Sequence, residues 1–286
     1  MKQSNIFLGI TFMIASVFTL GINDIIVKGL SYKFPIWEIV FFRAISGAII
    51  SIGLVLIFGI NSIKTKKPIG HLFRAFSAVA CVVLFFFGIK LLLLAENQAL
   101  FHSAPIIASI LAVPILGEKI GFHRIFAIII GFLGVLVILK PGTDLFNLYS
   151  LISLGSGFFA ALTYLSTRYL MSTETSVSII FYYSFALLIT SFFFISDSFL
   201  IPSNLELIPL ISLGIVGSFG HYFASLAAKN AEVVIITPFE YSSFIFVTLL
   251  GYIFYNEIPD ASIYIGILLI SISGVYIVYR EHKKLR

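Results

Sequence analysis

Runs of about twenty apolar residues, the length a helix needs to cross the hydrocarbon core of a bilayer, recur along the whole of this 286-residue chain. They fall at about 5–30, 36–58, 71–94, 99–116, 122–139, 149–170, 177–196, 207–229, 233–254 and 261–279. No other feature constrains the fold as strongly. Lipid offers backbone amides and carbonyls nothing to bond to, so such runs must form helices that satisfy their own polar groups. The composition agrees: 59% of residues are hydrophobic, 11% are charged, and the mean hydropathy is +1.09. A water-soluble domain carries about 25% charged residues, so a soluble enzyme, a nucleic-acid-binding module and a disordered scaffold are excluded. The expected fold is an all-α integral membrane protein of ten transmembrane helices with short loops and no soluble domain. The first run ends in Asn23, Asp24 and Lys28 and lacks a small-residue cleavage site, so it reads as a retained span rather than a signal peptide. Cys81 is the single cysteine, which leaves no intrachain disulfide and no Cys-based metal site.

Positive charge predicts the direction of threading. If the N-terminus is cytoplasmic, 13 of the 18 Lys and Arg residues fall at cytoplasmic ends and loops, among them Lys64, Lys66, Lys67, Arg74, Arg168, Lys229 and Arg280. Only Lys28, Lys33, Lys90 and Lys140 fall on the other side, and Arg43 lies inside the second span. Such a bias predicts that both termini are cytoplasmic.

The two halves of the chain also resemble each other. At an offset of 140, Lys28-Gly29-Leu30 falls on Arg168-Tyr169-Leu170, Phe41-Phe42 on Phe181-Tyr182, and Gly134-Val135 on Gly274-Val275. At 139, Leu116-Gly117-Glu118 falls on Tyr255-Asn256-Glu257. The expected units are residues 1–141 and 149–284, five spans each. An odd number of spans sends the second copy into the membrane from the opposite side. Inverted repeats of this kind build secondary transporters, whose halves rock about a midplane site.

Pro105 with Leu116-Gly117-Glu118 and the Gly131/Gly134-Val135 helix, then Pro238 with Tyr255-Asn256-Glu257-Ile258-Pro259-Asp260 and the Gly266/Gly274-Val275 helix, resemble the drug/metabolite transporter superfamily in its ten-helix EamA form. The first repeat adds Asn23-Asp24, Lys28, Glu38 and Phe41-Phe42-Arg43, a set similar to the branch of rickettsial-type S-adenosylmethionine uptake transporters. Such relatives tend to carry Pro-x-Arg-Tyr where this chain has Pro238-Phe239-Glu240-Tyr241. The resemblance implies a secondary carrier in a bacterial inner membrane. It would move an amino-acid-like metabolite or a cationic amino-acid derivative, S-adenosylmethionine being the sharpest choice, by alternating access. Export of amino acids or toxic metabolites is the alternative direction. Protons or a counter-substrate would supply the energy, no cofactor is expected, and the carrier would be a monomer or a homodimer.

Ionisable groups inside a bilayer are costly and are functional candidates by default. Ser16, Thr19 and Asn23 form one stripe of the first span, with Asp24 and Lys28 a turn apart. Either the last two neutralise each other near the interface, or Asn23 and Asp24 face a cavity and bind an amino or sulfonium group or a proton. Arg43 keeps its charge at any accessible pH; it either pairs with Asp24 or Glu240 or holds a substrate carboxylate. Trp37 reads as an interfacial residue, and Arg74 as the cytoplasmic end of a tightly packed third helix. His102 opens the fourth span and is either bonded within the bundle or a ligand. His221 projects from the small-residue face Gly214, Gly217, Ser218, Ser225. Glu240 lies beside Pro238, which lacks a backbone donor and loosens the ninth helix; it either takes up a proton or binds a cationic substrate. Tyr164, Tyr182, Tyr183 and Tyr241 need hydroxyl partners, and those lining a cavity would stack on a planar ligand. The expected substrate-binding set is Asn23, Asp24, Arg43, His102, Tyr164, Tyr182, His221, Glu240 and Tyr241. Glu118 and Glu257 are expected to be structural, accepting loop amides. No Walker, His-Glu-x-x-His or Gly-x-Ser-x-Gly pattern occurs. The spread of ionisable groups through the spans also argues against an integral-membrane enzyme, which would cluster them at one interface.

Overall fold

A computed structural model describes residues 5–116, 122–141, 147–195, 199–231 and 233–285. The described residues form twelve α-helices and one short 3-10 turn, Ile60–Ile63. The helices are α1 (Ile6–Ser31), α2 (Ile36–Phe58), α3 (Pro68–Leu91), α4 (Leu94–Phe101), α5 (Ala104–Leu116), α6 (Phe122–Leu139), α7 (Ser150–Leu170), α8 (Ser176–Phe194), α9 (Asn204–Asn230), α10 (Val233–Glu240), α11 (Ser243–Tyr255) and α12 (Ala261–Leu285). Eight segments are long and apolar enough to cross a membrane, counting 235–255 as one, and α6 adds a shorter ninth. Helices α4 and α5 together make the fourth pass of ten. The chain is a multi-pass membrane protein.

Local sequence sets the ends. Asn5 caps α1 by accepting from the Leu8 amide at 3.2 Å. Pro68 opens α3, where its missing N–H costs nothing. Thr175 caps α8, and Ser203 with Glu206 forms a capping box on α9. Helix α11 stops at Asn256, which adopts the left-handed conformation (φ 53°) that Asn tolerates at helix ends.

Contacts between termini fix the direction of every repeat-related pair they touch. At the end of the bundle that carries the 59–67 loop, here the basic end, Thr175 before α8 donates to the Ser62 carbonyl after α2 at 2.6 Å. There too Lys67 before α3 bonds Ser172 after α7 at 3.2 Å. At the opposite end Lys28 near the close of α1 pairs with Glu257 after α11, Lys33 with Glu206 at the start of α9, and Lys140 after α6 with Asp260 before α12. Helix α3 therefore starts where α9, its counterpart, ends, and α1 runs against α7. Packing obeys the same inversion: α1 lies on α9 as α7 lies on α3, while α2 pairs with α8 and α6 with α12.

The fourth and ninth passes depart from the expected single helices. Each is split, and the pieces α4 and α5 match α10 and α11 at an offset of 139 at all four boundaries. In both breaks a serine bonds back three residues: Ser103 to the Leu100 carbonyl and Ser242 to the Phe239 carbonyl, each at 2.6 Å. Pro105 explains the first break, because it has no N–H for the Phe101 carbonyl. The fourth pass also begins at Leu94, not 99, so His102 sits at the break rather than at the opening. Residues 95–98, too polar to read as a span, are helical because partners wait for them: Glu96 accepts from Ser150 (2.6 Å) and Asn97 accepts from Ser153.

Candidate functional site

A cavity of about 450 Å³ lies between the halves, within the size range of small-molecule sites. Every helix from α1 to α4 and from α7 to α11 contributes to its wall. Helix α1 reaches it because its polar stripe anchors to α9. Ser16 donates to the Gly220 carbonyl and Asn23 to the Leu213 carbonyl, both at 2.8 Å. Glycines on α9 make that approach possible; a Cβ at Gly217 would touch the Asn23 amide at 3.6 Å and the Arg43 guanidinium at 3.9 Å. Arg43 donates to Asn23 Oδ1 at 3.3 Å, and its guanidinium lies over the Phe86 ring at 5.2 Å. Asp24 and His221 both lie within electrostatic reach of Arg43, yet no described carboxylate comes within 4 Å of it. Nor does Asp24 pair with Lys28. That ammonium turns to Glu257 and the Leu92 carbonyl, bonding the latter at 2.7 Å.

Opposite this cluster, Glu240, Ser243 and Val247 form the cavity face of α10–α11. Glu240 makes no hydrogen bond or ion pair to any described residue; its electrostatic neighbours are Tyr164 and Tyr241. At the break of the fourth pass, His102 Nδ1 meets the Gln98 carbonyl at 2.9 Å, and the ring lies 5.0 Å from Phe244 and 5.5 Å from Tyr241. Gln98 Oε1 and Ser243 Oγ, on two residues of the lining, are buried without a hydrogen-bond partner among the described residues.

Seven of the nine expected residues thus come together around one cavity: Asn23, Asp24, Arg43, His102, Tyr164, His221 and Glu240. Two do not. Tyr182 faces the basic end, where its hydroxyl donates to the Ile63 carbonyl at 3.0 Å and its ring meets His71 at 4.6 Å. Tyr241 turns to the outer side of the break, its hydroxyl filling the space over Gly274. Other lining residues were outside the expected set, among them Gln98, Cys81, Arg74 and Tyr183, the last standing where Tyr182 was expected. Arg74 is a cavity residue, not simply the cap of a packing face. Glu257 accepts a backbone amide, though that of Leu94 at the start of α4 (2.7 Å) rather than a loop amide, besides its ion pair; Glu118 lies outside the described residues. Among the described residues no three His, Cys, Asp or Glu side chains gather to hold a metal.

The chain matches the EamA-like transporter family over residues 7–140 and again over 147–280. It is 29% identical over 280 residues to an S-adenosylmethionine uptake transporter of Rickettsia prowazekii, covering 97% of this chain and 94% of that one. It is 26% identical over 269 residues to the pseudopaline exporter CntI of Pseudomonas aeruginosa, covering 93% and 94%. A solved crystal structure superposes over the whole of both chains with a TM-score of 0.62 at 16% identity, which shows the shared fold. Paired halves of opposite direction, broken helices meeting at the centre and a twofold family match leave one conclusion: the chain belongs to the EamA-like transporter family, and it is a transporter, not an enzyme.

Proposed function

We propose that this protein is a secondary carrier, in a bacterial inner membrane with both termini cytoplasmic, for a small zwitterionic amino-acid derivative bearing an extra positive centre, with S-adenosylmethionine as the first choice. One observation carries the reading: a cavity between inverted halves presents Arg43 and two carboxylates, Asp24 and Glu240, that bond no described residue. Arg43, one of whose donors meets Asn23, offers its other N–H groups to a substrate carboxylate, Asp24 and Glu240 suit an amino or sulfonium group, and Tyr164, Phe85 and Phe101 offer faces to a flat ring. Likeness to an S-adenosylmethionine uptake transporter over nearly the whole chain supports the substrate class. Likeness to the pseudopaline exporter supports the second reading, in which the same cavity serves export.

The test is uptake and exchange in proteoliposomes with labelled S-adenosylmethionine, amino acids and nucleotides, with and without a pH gradient. Saturable S-adenosylmethionine uptake, lost by at least about tenfold in Asp24→Asn and Glu240→Gln as one charge-assisted contact is removed from each, is the expected result. Variants that transport as well as wild type overturn the site, and tight binding without translocation overturns the carrier.

A further inference from the structure

Arg74 lines the cavity but has no ionic partner among the described residues. Of its five N–H donors, one meets Thr167 Oγ1 at 3.3 Å and one the Ile179 carbonyl at 3.4 Å. Both acceptors are neutral and both bonds are long. One flat face of the guanidinium lies over the Tyr183 ring at 5.2 Å, so the fork edge is what remains to meet a ligand. A cation held inside a membrane protein is expensive without an anion beside it.

Depth along the helices separates Arg74 from Arg43. Rising about 1.5 Å per residue, Arg74 lies about 9 Å from the basic end of α3, and Glu240 lies about 10 Å from the same end of α10. Tyr164 on α7 and Tyr183 on α8 fall at the same level, about 9 and 10 Å in. Arg43 and Asp24 are deeper, about 22 and 27 Å from the basic ends of α2 and α1. The cavity is therefore layered. Its upper layer holds Arg74 and Glu240, neither with an ionic partner among the described residues, beside Tyr164 and Tyr183; its lower layer holds Asn23, Asp24 and Arg43.

We propose that Arg74 and Glu240 form a second binding station, nearer the basic end than the Asn23–Asp24–Arg43 cluster, in which Arg74 takes the carboxylate and Glu240 the cationic centre of a zwitterionic substrate. The proposal rests on the reading above and divides its two carboxylates between two stations. A substrate then passes from one carboxylate-binding arginine to the next, with Cys81 and Tyr183 beside the path. The Thr167 and Ile179 bonds hold the Arg74 stem between α7 and α8, and the ligand supplies the missing anion.

The test uses full-length wild-type, Arg74→Gln and Arg74→Lys protein in liposomes, with two readouts. The first is affinity for S-adenosylmethionine and for its decarboxylated form, which differ only in the carboxylate. Arg74→Gln should weaken the first about ten- to hundredfold, as for loss of a charged hydrogen-bonded pair, and the second by less than about twofold; Arg74→Lys, which keeps the charge but not the fork, should weaken only the first, and by less. The second readout is modification of Cys81, the sole cysteine, by sulfonate-bearing and trimethylammonium-bearing methanethiosulfonates. The anion-to-cation rate ratio should fall about tenfold in Arg74→Gln and hold in Arg74→Lys. Equal weakening of both ligands, weakening of neither, or an unchanged ratio overturns the station. If wild type binds neither ligand, the substrate class falls, and the Cys81 ratio still decides whether Arg74 collects anions. Should Arg74→Gln fail to fold, Arg74→Lys decides: a loss confined to the carboxylate-bearing ligand supports the station, and equal losses overturn it.

Discussion

The ion pair between Lys28 and Glu257 ties α1 to the end of α11 opposite the basic end, and its removal should open the cavity there. Both side chains are buried, 7% and 9% exposed. Around them are drawn the Leu92 carbonyl, the Leu94 amide and the Tyr255 ring, whose hydroxyl in turn bonds the Ile25 carbonyl at 2.6 Å. Three chain segments meet in this knot: the end of α1, the turn between α3 and α4, and the end of α11. Removing one partner of a buried pair costs about 3–5 kcal/mol, because the other charge is left uncompensated. In Glu257→Gln the amide oxygen still accepts from Leu94 and Lys28 keeps the Leu92 carbonyl, so the lower figure applies. At about 1.4 kcal/mol per tenfold, the closed arrangement should lose a little over a hundredfold relative to the open one. Cys81 reports this directly: a membrane-impermeant maleimide applied from the Lys28 side of sealed, oriented vesicles should label the variant about a hundredfold faster than wild type. The double replacement Lys28→Met/Glu257→Leu should return to the wild-type rate, since an apolar pair fills the space without burying charge. Unchanged labelling in Glu257→Gln, or a double variant as open as the single one, would refute the argument.

Helix contacts make further predictions. A Cβ on Gly214 would stand 2.0 Å from Ser46 Cβ, so Gly214→Ala should part α9 from α2 at a cost of about 1–3 kcal/mol, seen as a lower melting temperature in detergent. Gly53 has nothing within 4 Å, and Gly53→Ala should leave the melt unchanged or raise it by up to about 1 kcal/mol of helix propensity. Outside the spans, the Asp260 carboxyl is held down to about 2 by Lys140, then by Ser262 and the Ile263 amide. A lowered carboxyl pKa stabilises the fold above the unfolded value near 4 and loses that contribution as pH falls through about 2. Wild type should therefore destabilise over that window, and Asp260→Asn should flatten the dependence in a pH series of melts. The Asp24→Asn and Glu240→Gln transport assays complete the set.

The apolar runs made most spans legible, because lipid permits only one solution for such a segment. The fourth and ninth were not legible as broken helices. Pro105 marks a break, but the second copy has Phe244 at that position, and Pro238 sits inside α10 rather than at its end. There the break depends on a serine turning back on its own carbonyl, which apolar patterning does not reveal. Charged cavity residues stood out because they are rare in spans. Arg74 was misjudged by one helical turn: Pro68 starts α3 earlier than the apolar run suggests, which carries the arginine deeper. Tyr182 rather than Tyr183 entered the expected set because α8 is apolar on nearly every side. Neighbouring residues point about 100° apart on a helix, and nothing in such a sequence sets the phase. Gln98 lay in a stretch too polar to read as membrane-spanning, and only the bonds of its neighbours Glu96 and Asn97 to α7 show why that stretch is helical.

The meeting of His102 and Tyr241, ring centres 5.5 Å apart and 139 residues apart in sequence, joins equivalent points of the two copies. Two equivalent points in contact must straddle the pseudo-twofold axis. Were the copies to trade shapes, as the proposed carrier requires, pairs far from that axis such as Lys28 and Glu257 would change neighbours, but a pair astride it would be mapped onto itself. Spin labels placed at 102 and 241 should then give the same separation whichever face of the protein is open.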